Sequence, residues 1–259
     1  MALSEDNTGK SSGILILNQP KHVTATCWSC GAMRAAHYCQ ECGKVQPPVP
    51  VDYFAFFGLP YKLNVDTVQL ERDFYALSRK LHPDINARGT DPEQDWSLEK
   101  TSQLNDAYRT LKDPISRTEY LLRLQGVQLE EQSKAATDEA RKTGSTKKQV
   151  VPPSLLEEVF ELNMQLEELR ANKKLGESDP TLERELQGAK HHLAAKQVEM
   201  LNELSTTWSE WDALVDRASA GENAEESERA RVRDKLLDIL NRRTYLRNLI
   251  HDVDEVLES

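Results

Sequence analysis

A proline ends one helical pattern and precedes another, and that break sets the architecture of the middle of the chain. Leu70, Phe74, Leu77 and Leu81 recur at i, i+4, i+7 and i+11, the spacing of one apolar helix face. Arg72, Arg79 and Lys80 fall off that face. Pro83 removes a backbone donor and biases His82 away from helical geometry. Downstream, Asp91-Pro92 reads as an N-cap followed by proline at the first helical position, and Leu104, Ala107, Tyr108 and Leu111 make a second stripe. The chain must therefore turn back at His82-Pro83-Asp84 and pack two helices antiparallel. Taken alone, that tripeptide is a helix stop followed by a turn.

All four cysteines lie upstream, as Cys27-Trp28-Ser29-Cys30-Gly31 and Cys39-Gln40-Glu41-Cys42-Gly43. Their confinement to one short stretch is unlike a secreted disulfide framework. Each half is a C-x-x-C-G knuckle. Two-residue spacing lets two thiolates converge on one tetrahedral ion, and the glycine permits the positive φ of such a turn. A segment of about 25 residues cannot bury a sufficient core unaided. Structural zinc supplies about 10–16 kcal/mol in small fingers. The reading is one structural Zn2+ on Cys27, Cys30, Cys39 and Cys42. The rivals are an iron–sulfur cluster, which also takes four thiolates, and a redox-active dithiol, which needs only one pair. His37, two residues before Cys39, could substitute as a ligand but is read as a surface residue, and Trp28 as a cover for the metal or a contact with the next module.

The chain has 259 residues and a formal net charge of -10, which argues against a general binder of nucleic acid or anionic membrane. No apolar run approaches the roughly 20 residues of a membrane span. Residues 1–20 resemble neither a secretory signal nor a mitochondrial presequence, since the apolar 14–17 run is short, Glu5 and Asp6 are acidic, and no arginine precedes Arg34.

The expected class is mainly α. Residues 1–22 are expected to be a flexible tail, with 14–17 read as a short strand against the next module, and 23–46 to be the tetracysteine zinc module. The proline-rich 46–50 segment is a stiff linker. Residues 51–127 are expected to fold as four helices over 52–57, 66–81, 92–112 and 114–124, with a loop at 82–91 and a cap at Asp66. The core there is read as Phe54, Phe57, Leu59, Phe74, Leu77, Leu104, Tyr108, Leu111, Tyr120 and Leu121. Tyr53, Tyr75 and Trp96 are divided between core and surface. Residues 128–151 show little periodicity and read as a polar linker. Residues 152–259 read as a three-helix bundle. Its first helix carries Leu155, Val159, Leu162, Leu166 and Leu169, with a loop at 171–180. The second runs from Thr181 through Leu182, Leu186, Leu193, Met200, Leu201, Leu204, Trp208 and Trp211 towards Leu214. The third carries Val232, Leu236, Ile239, Leu240, Leu246, Leu249, Ile250 and Val253. A second row, Leu156, Phe160 and Met164, is offset from the core row of the first helix. It is either a wide core stripe or an apolar strip typical of a partner site.

Several runs around the tripeptide are distinctive. They are Asp52-Tyr53-Phe54, Phe57-Gly58-Leu59, Leu104-Asn105-Asp106-Ala107-Tyr108, Leu111-Lys112-Asp113-Pro114, and Arg117 with Tyr120. With His82-Pro83-Asp84 they resemble a J-domain, the module by which co-chaperones stimulate the ATPase of DnaK-type chaperones. The resemblance implies that His82, Pro83 and Asp84 are the stimulating tripeptide. It also implies that Arg72, Arg79 and Lys80 dock on an acidic patch of the chaperone. With the bundle and the double C-x-x-C module, the chain resembles the HscB family of iron–sulfur co-chaperones, in the form its metazoan-type mitochondrial members take. That resemblance implies an iron–sulfur scaffold protein of the IscU type as a partner, held by an apolar patch. Leu156, Phe160 and Glu161 match that patch in the Leu155-Leu156-Glu157-Glu158-Val159-Phe160-Glu161 run. Met164 joins by its place on the same row, and Tyr245 matches the family's aromatic position in Arg243-Thr244-Tyr245-Leu246. Glu157 and the long 128–151 linker depart from the family pattern. Cluster-recipient proteins are further partners by resemblance, and no catalytic site, nucleic acid or membrane is expected. The location implied is the mitochondrial matrix, with the cytoplasm as the alternative. The rival function is a J-domain co-chaperone for an unrelated client, with the bundle as a generic interaction arm.

Overall fold

The computed structural model describes residues 25–33, 36–127, 155–222 and 225–258. The expected tail at 1–22, the linker at 128–151 and the start of the bundle at 152–154 lie outside the described residues. The fold is mainly α. Its helices, in order, are α1 (Tyr53–Phe57), α2 (Thr67–Leu81), α3 (Pro83–Asn86), α4 (Asp91–Lys112), α5 (Pro114–Leu124), α6 (Leu156–Leu175), α7 (Pro180–Ser219) and α8 (Glu226–Glu258). Among the described residues no extended strand forms, although Tyr38 and Val45 make one antiparallel bridge.

Aspartates start four of these helices. Asp52 accepts from the Ala55 N–H, Asp66 from Val68 and Gln69, Asp113 from Ser116, and Asp179 from Thr181 and Leu182. Each such cap satisfies an orphan donor and contributes about 1 kcal/mol. The cap of α4 is Thr90 rather than the expected Asp91, because the Glu93 carboxylate reaches back to accept the Thr90 N–H at 2.8 Å. The 82–91 segment is not all loop, since Pro83–Asn86 forms one helical turn. α6 runs past the expected break at 171. Its stop is Gly176, which takes φ 73° and lets its N–H close on Asn172 and Lys173.

α2 and α4 make the antiparallel hairpin, joined by the short α3. α7 and α8 pack along each other, and α6 lies against both. The apolar core does not stop between these groups. A single cluster of buried side chains runs from Phe54, Tyr61, Leu63 and Leu121 to Trp211, Leu236 and Val253. Of the residues expected in the core, Phe54, Leu104, Leu111 and Leu121 are buried, and Phe57, Leu59, Phe74, Leu77, Tyr108 and Tyr120 are partly so. Tyr75 is exposed, and Tyr53 stacks on Tyr120 at 4.4 Å. Leu201, expected in the bundle core, is also exposed.

The seam between α7 and the 61–64 turn is polar as well as apolar. Trp211 is fully buried, and its Nε1–H donates to the Tyr61 carbonyl at 2.9 Å. Asp212 accepts from the N–H groups of Leu63 and Asn64 and from the Asn64 amide, at 2.7, 2.9 and 2.9 Å. Arg117 is also buried. It donates to the carbonyls of Leu63 and Leu111, and its guanidinium lies 5.3 Å from the Trp208 ring centroid. Desolvation pushes the Arg117 pKa below its usual value, opposed by Asp113 and Asp212.

Candidate functional site: a hairpin loop, a cysteine cluster and an apolar strip

His82 sits between two helices. Its N–H caps α2 by donating to the Ser78 carbonyl, and its Nδ1 accepts the Asp84 N–H at 3.1 Å. That bond fixes the proton of neutral His82 on Nε2. The Asp84 carboxylate lies 3.6 Å from Nδ1, and the His82 and Asp84 side chains are 48% and 88% exposed. The loop is tied at its root. The Leu81 carbonyl accepts from the hydroxyls of Ser97 and Thr101, and the Asn86 amide donates to the carbonyls of Lys80 and His82. At Gly89 an added Cβ would stand 3.0 Å from the Asn86 carbonyl and 3.0 Å from the Glu93 Cβ, so any larger residue there crowds the bend. Arg72, Arg79 and Lys80 are exposed on α2. Arg72 and Arg79 share one face at i, i+7, while the Lys80 ammonium lies 5.8 Å from the Tyr38 ring centroid.

The four cysteines converge. The sulfurs of Cys27, Cys30, Cys39 and Cys42 all lie within 4.8 Å of one another, with Cys27–Cys42 and Cys30–Cys39 at 3.7 Å. A tetrahedron of Zn–S bonds near 2.3 Å has edges of about 3.8 Å, so this spacing fits a metal ion and is far too long for a disulfide. The two knuckles repeat one geometry. Gly31 and Gly43 both take φ 74°, and their N–H groups return to the Cys27 and Cys39 carbonyls. Desolvation raises the Cys27 thiol pKa, but the backbone N–H groups of Cys30 and Ser29, with the Cys42 and Cys30 thiols, more than offset it and bring it to about 6. The Ala32 amide lowers Cys30, yet desolvation and the crowded sulfurs of Cys42, Cys39 and Cys27 push it to about 12. Four thiols so close cannot all ionise until a cation neutralises them. Sequence reasoning missed Gln46. It is buried, and its side-chain amide donates to the Cys27 sulfur at 3.4 Å and to the Lys44 carbonyl at 2.9 Å. Its place one residue past a bridging valine carries no periodic signal.

The cysteine module is fastened to the hairpin. Trp28 meets Trp96 edge to face at 5.7 Å, and its Nε1–H donates to the Val45 carbonyl. His37 is not a simple surface residue, since its ring packs on Phe56 at 4.1 Å and its Nε2 contacts the Phe56 carbonyl at 2.8 Å. Lys44 pairs with Glu93 at 2.7 Å, and this pair together with the Thr90 N–H holds the Glu93 carboxyl below its usual pKa. Buried Lys100 donates to the His37 carbonyl at 3.1 Å, and desolvation brings its pKa down to about 8.

On α6 the two rows separate cleanly. Leu155, Val159, Leu162, Leu166 and Leu169 are buried, whereas Leu156, Phe160 and Met164 are 53%, 68% and 60% exposed. Glu161 is exposed beside them and lines a cavity of about 350 Å3 between α6 and α7. Tyr245 does not join them. It is 8% exposed, within the core cluster, because its place four residues before Leu249 puts it on the inward face of α8. Desolvation raises its phenol pKa, with Asp252 adding to the shift. Val198 and Leu201 supply other exposed apolar groups on α7, the helix that Glu158 reaches through its ion pair with Lys196.

A family model described as "DnaJ domain" matches residues 52–120. The chain is 27% identical over 198 residues to the iron–sulfur cluster co-chaperone protein HscB of Mus musculus, covering 74% of each chain. It is 32% identical over 145 residues to the HscB homolog of Arabidopsis thaliana, covering 56% of this chain and 52% of that one. The crystal structure of human co-chaperone protein HscB superposes with a TM-score of 0.57 at 23% identity, covering 89% of this chain and 98% of that one, which shows a shared fold. Residues 52–120 match the DnaJ domain, and over a longer stretch the chain is similar to the HscB-type iron–sulfur co-chaperones, with which it shares a mainly α fold.

Proposed function

We propose that this co-chaperone holds an IscU-type scaffold protein through the α6 strip and presents His82-Pro83-Asp84 to a DnaK-type chaperone, stimulating its ATPase and promoting cluster transfer to recipient proteins. The observation that carries the reading is the exposure of both elements on one chain. The tripeptide stands at the tip of the hairpin, and Leu156, Phe160 and Met164 lie open on a separate helix. Joining the two sites raises the effective concentration of scaffold at the chaperone. Lys196, beside α6, and Trp208, at the seam, are separated by about 18 Å along α7 at 1.5 Å per residue. Arg72, Arg79 and Lys80 are the docking cations for the chaperone.

Cys27, Cys30, Cys39 and Cys42 hold one structural Zn2+ in this reading, which staples a module too small for a core of its own. The protein acts without a catalytic site, by engaging two partners, and its place of work is the mitochondrial matrix. Residues 51–127 act as the J-domain and 152–259 as the scaffold-binding arm.

The test is ATP turnover by a DnaK-type chaperone with IscU-type scaffold, with and without the purified protein. The expected result is faster hydrolysis that His82→Gln abolishes while scaffold binding persists. Equal hydrolysis with and without the protein rejects the reading. A tagged protein found outside mitochondria would reject the location alone.

A further inference from the structure

The cysteine module grips both ends of the His82-Pro83-Asp84 loop. Where the loop closes, Glu93 accepts the Thr90 N–H through Oε2 and pairs with Lys44 through Oε1, so one carboxylate links the loop end to the second knuckle. Glu93 is 3% exposed, so the carboxylate end of that link is buried while the Lys44 ammonium stays partly in solvent. Where the loop opens, Leu81 shares an apolar cluster with Val45, Phe56 and Leu104, and Lys80 leans over Tyr38. Between these anchors stand the Trp28–Trp96 contact and the Lys100 bond to the His37 carbonyl. Val45, Tyr38, Lys44, His37 and Trp28 all belong to the tetracysteine segment, which is too short to bury a sufficient core of its own.

We infer that the metal-loaded module is a brace for the loop, with Lys44 as its positioning residue, so that chaperone stimulation depends on the metal and scaffold binding does not. The inference rests on the reading of His82-Pro83-Asp84 as the stimulating tripeptide. Asp84 itself is almost fully in solvent, so the loop's shape is set by its ends. A loop freed at its ends must be ordered by the partner, and that ordering weakens binding. The brace contacts fall on α1, α2, α4 and the turn before α4, while Leu156, Phe160 and Met164 lie on α6.

Hydrogen exchange on the full-length protein tests this, before and after chelation of the metal and in Lys44→Met, which keeps the cysteines and the Thr90–Glu93 bond. Amides over 84–96 should exchange at least about tenfold faster without metal. In Lys44→Met they should exchange about two- to fivefold faster. Amides over 185–215 should not change. The concentration for half-maximal ATPase stimulation should rise by a similar factor in Lys44→Met at unchanged maximal rate and unchanged scaffold affinity, and Lys44→Arg should restore it. Unchanged loop exchange, or an unchanged half-maximal concentration, overturns the brace. Stimulation that survives His82→Gln overturns the functional reading instead.

Discussion

Asp212, on α7, accepts the backbone N–H of Leu63 at 2.7 Å, a bond between residues far apart in sequence that welds the hairpin region to the long helices. Asp212 is 8% exposed and takes two further hydrogen bonds from Asn64. Asp212→Ala should destabilise the protein by about 2–4 kcal/mol, since it strands sheltered N–H donors. Thermal melts should show Tm lower by roughly 5–15 °C. An unshifted melt would mean that the seam tolerates loss of its acceptor.

Gly89 marks the tightest point of the loop. Gly89→Ala crowds both the Asn86 carbonyl and the Glu93 Cβ, each 3.0 Å from the new Cβ, and both must give by a few tenths of an ångström. A cost of about 1–3 kcal/mol is expected. ATPase stimulation should fall while scaffold binding, measured by titration, stays the same. Full stimulation by this variant would show that the loop has room to spare.

Tyr245 and Phe160 should behave oppositely. Tyr245→Ala empties a buried site and should cost about 3–5 kcal/mol by denaturant melts. Phe160→Ala removes an exposed ring and should change stability by no more than about 0.5 kcal/mol, yet weaken scaffold binding. A stable Tyr245→Ala or an unstable Phe160→Ala contradicts the assignment of faces.

Lys100 gives a pH signature. Its folded pKa is lowered from 10.5 to about 8 by desolvation, with Glu99 opposing. The unfolded chain therefore binds the extra proton between about pH 8 and 10.5, and stability from this group rises with pH across that window. Below pH 8 the buried charge is a full penalty. The His37 carbonyl keeps the Gln46 N–H as a partner at 3.0 Å, so Lys100→Met strands no acceptor. Lys100→Met should be more stable than wild type at pH 7 by about 1–3 kcal/mol, and the difference should shrink as pH rises to 10.5. A pH-independent difference would show that Lys100 titrates normally.

Much of the fold is legible in the sequence because short-range chemistry dictates it. The apolar rows of α2 and α6, the cap at Asp66, the knuckle glycines and the offset Leu156, Phe160 and Met164 row all express local periodicity or turn geometry. What escapes depends on contacts distant in sequence. Buried Arg117, Asp212 and Lys100 look like surface residues in the chain and are inside only because backbone carbonyls or N–H groups meet them there. His37 reads as a surface residue for the same reason, since nothing near it in sequence announces Phe56. Tyr245 is assigned to the patch by resemblance in a short motif, and the phase of α8 overrides it. Leu201 fits the helical period of α7 but lies exposed among the described residues.

The buried Trp211 sits where two halves of the molecule meet, filled on both sides. Such a join makes the halves non-interchangeable. A front half borrowed from another protein would have to bring its own 61–64 turn to the same place, or the Trp211 indole would lose the Tyr61 carbonyl and Asp212 the Leu63 N–H. Chimeras of this protein would therefore have to be recut so that the 61–64 turn travels with α7.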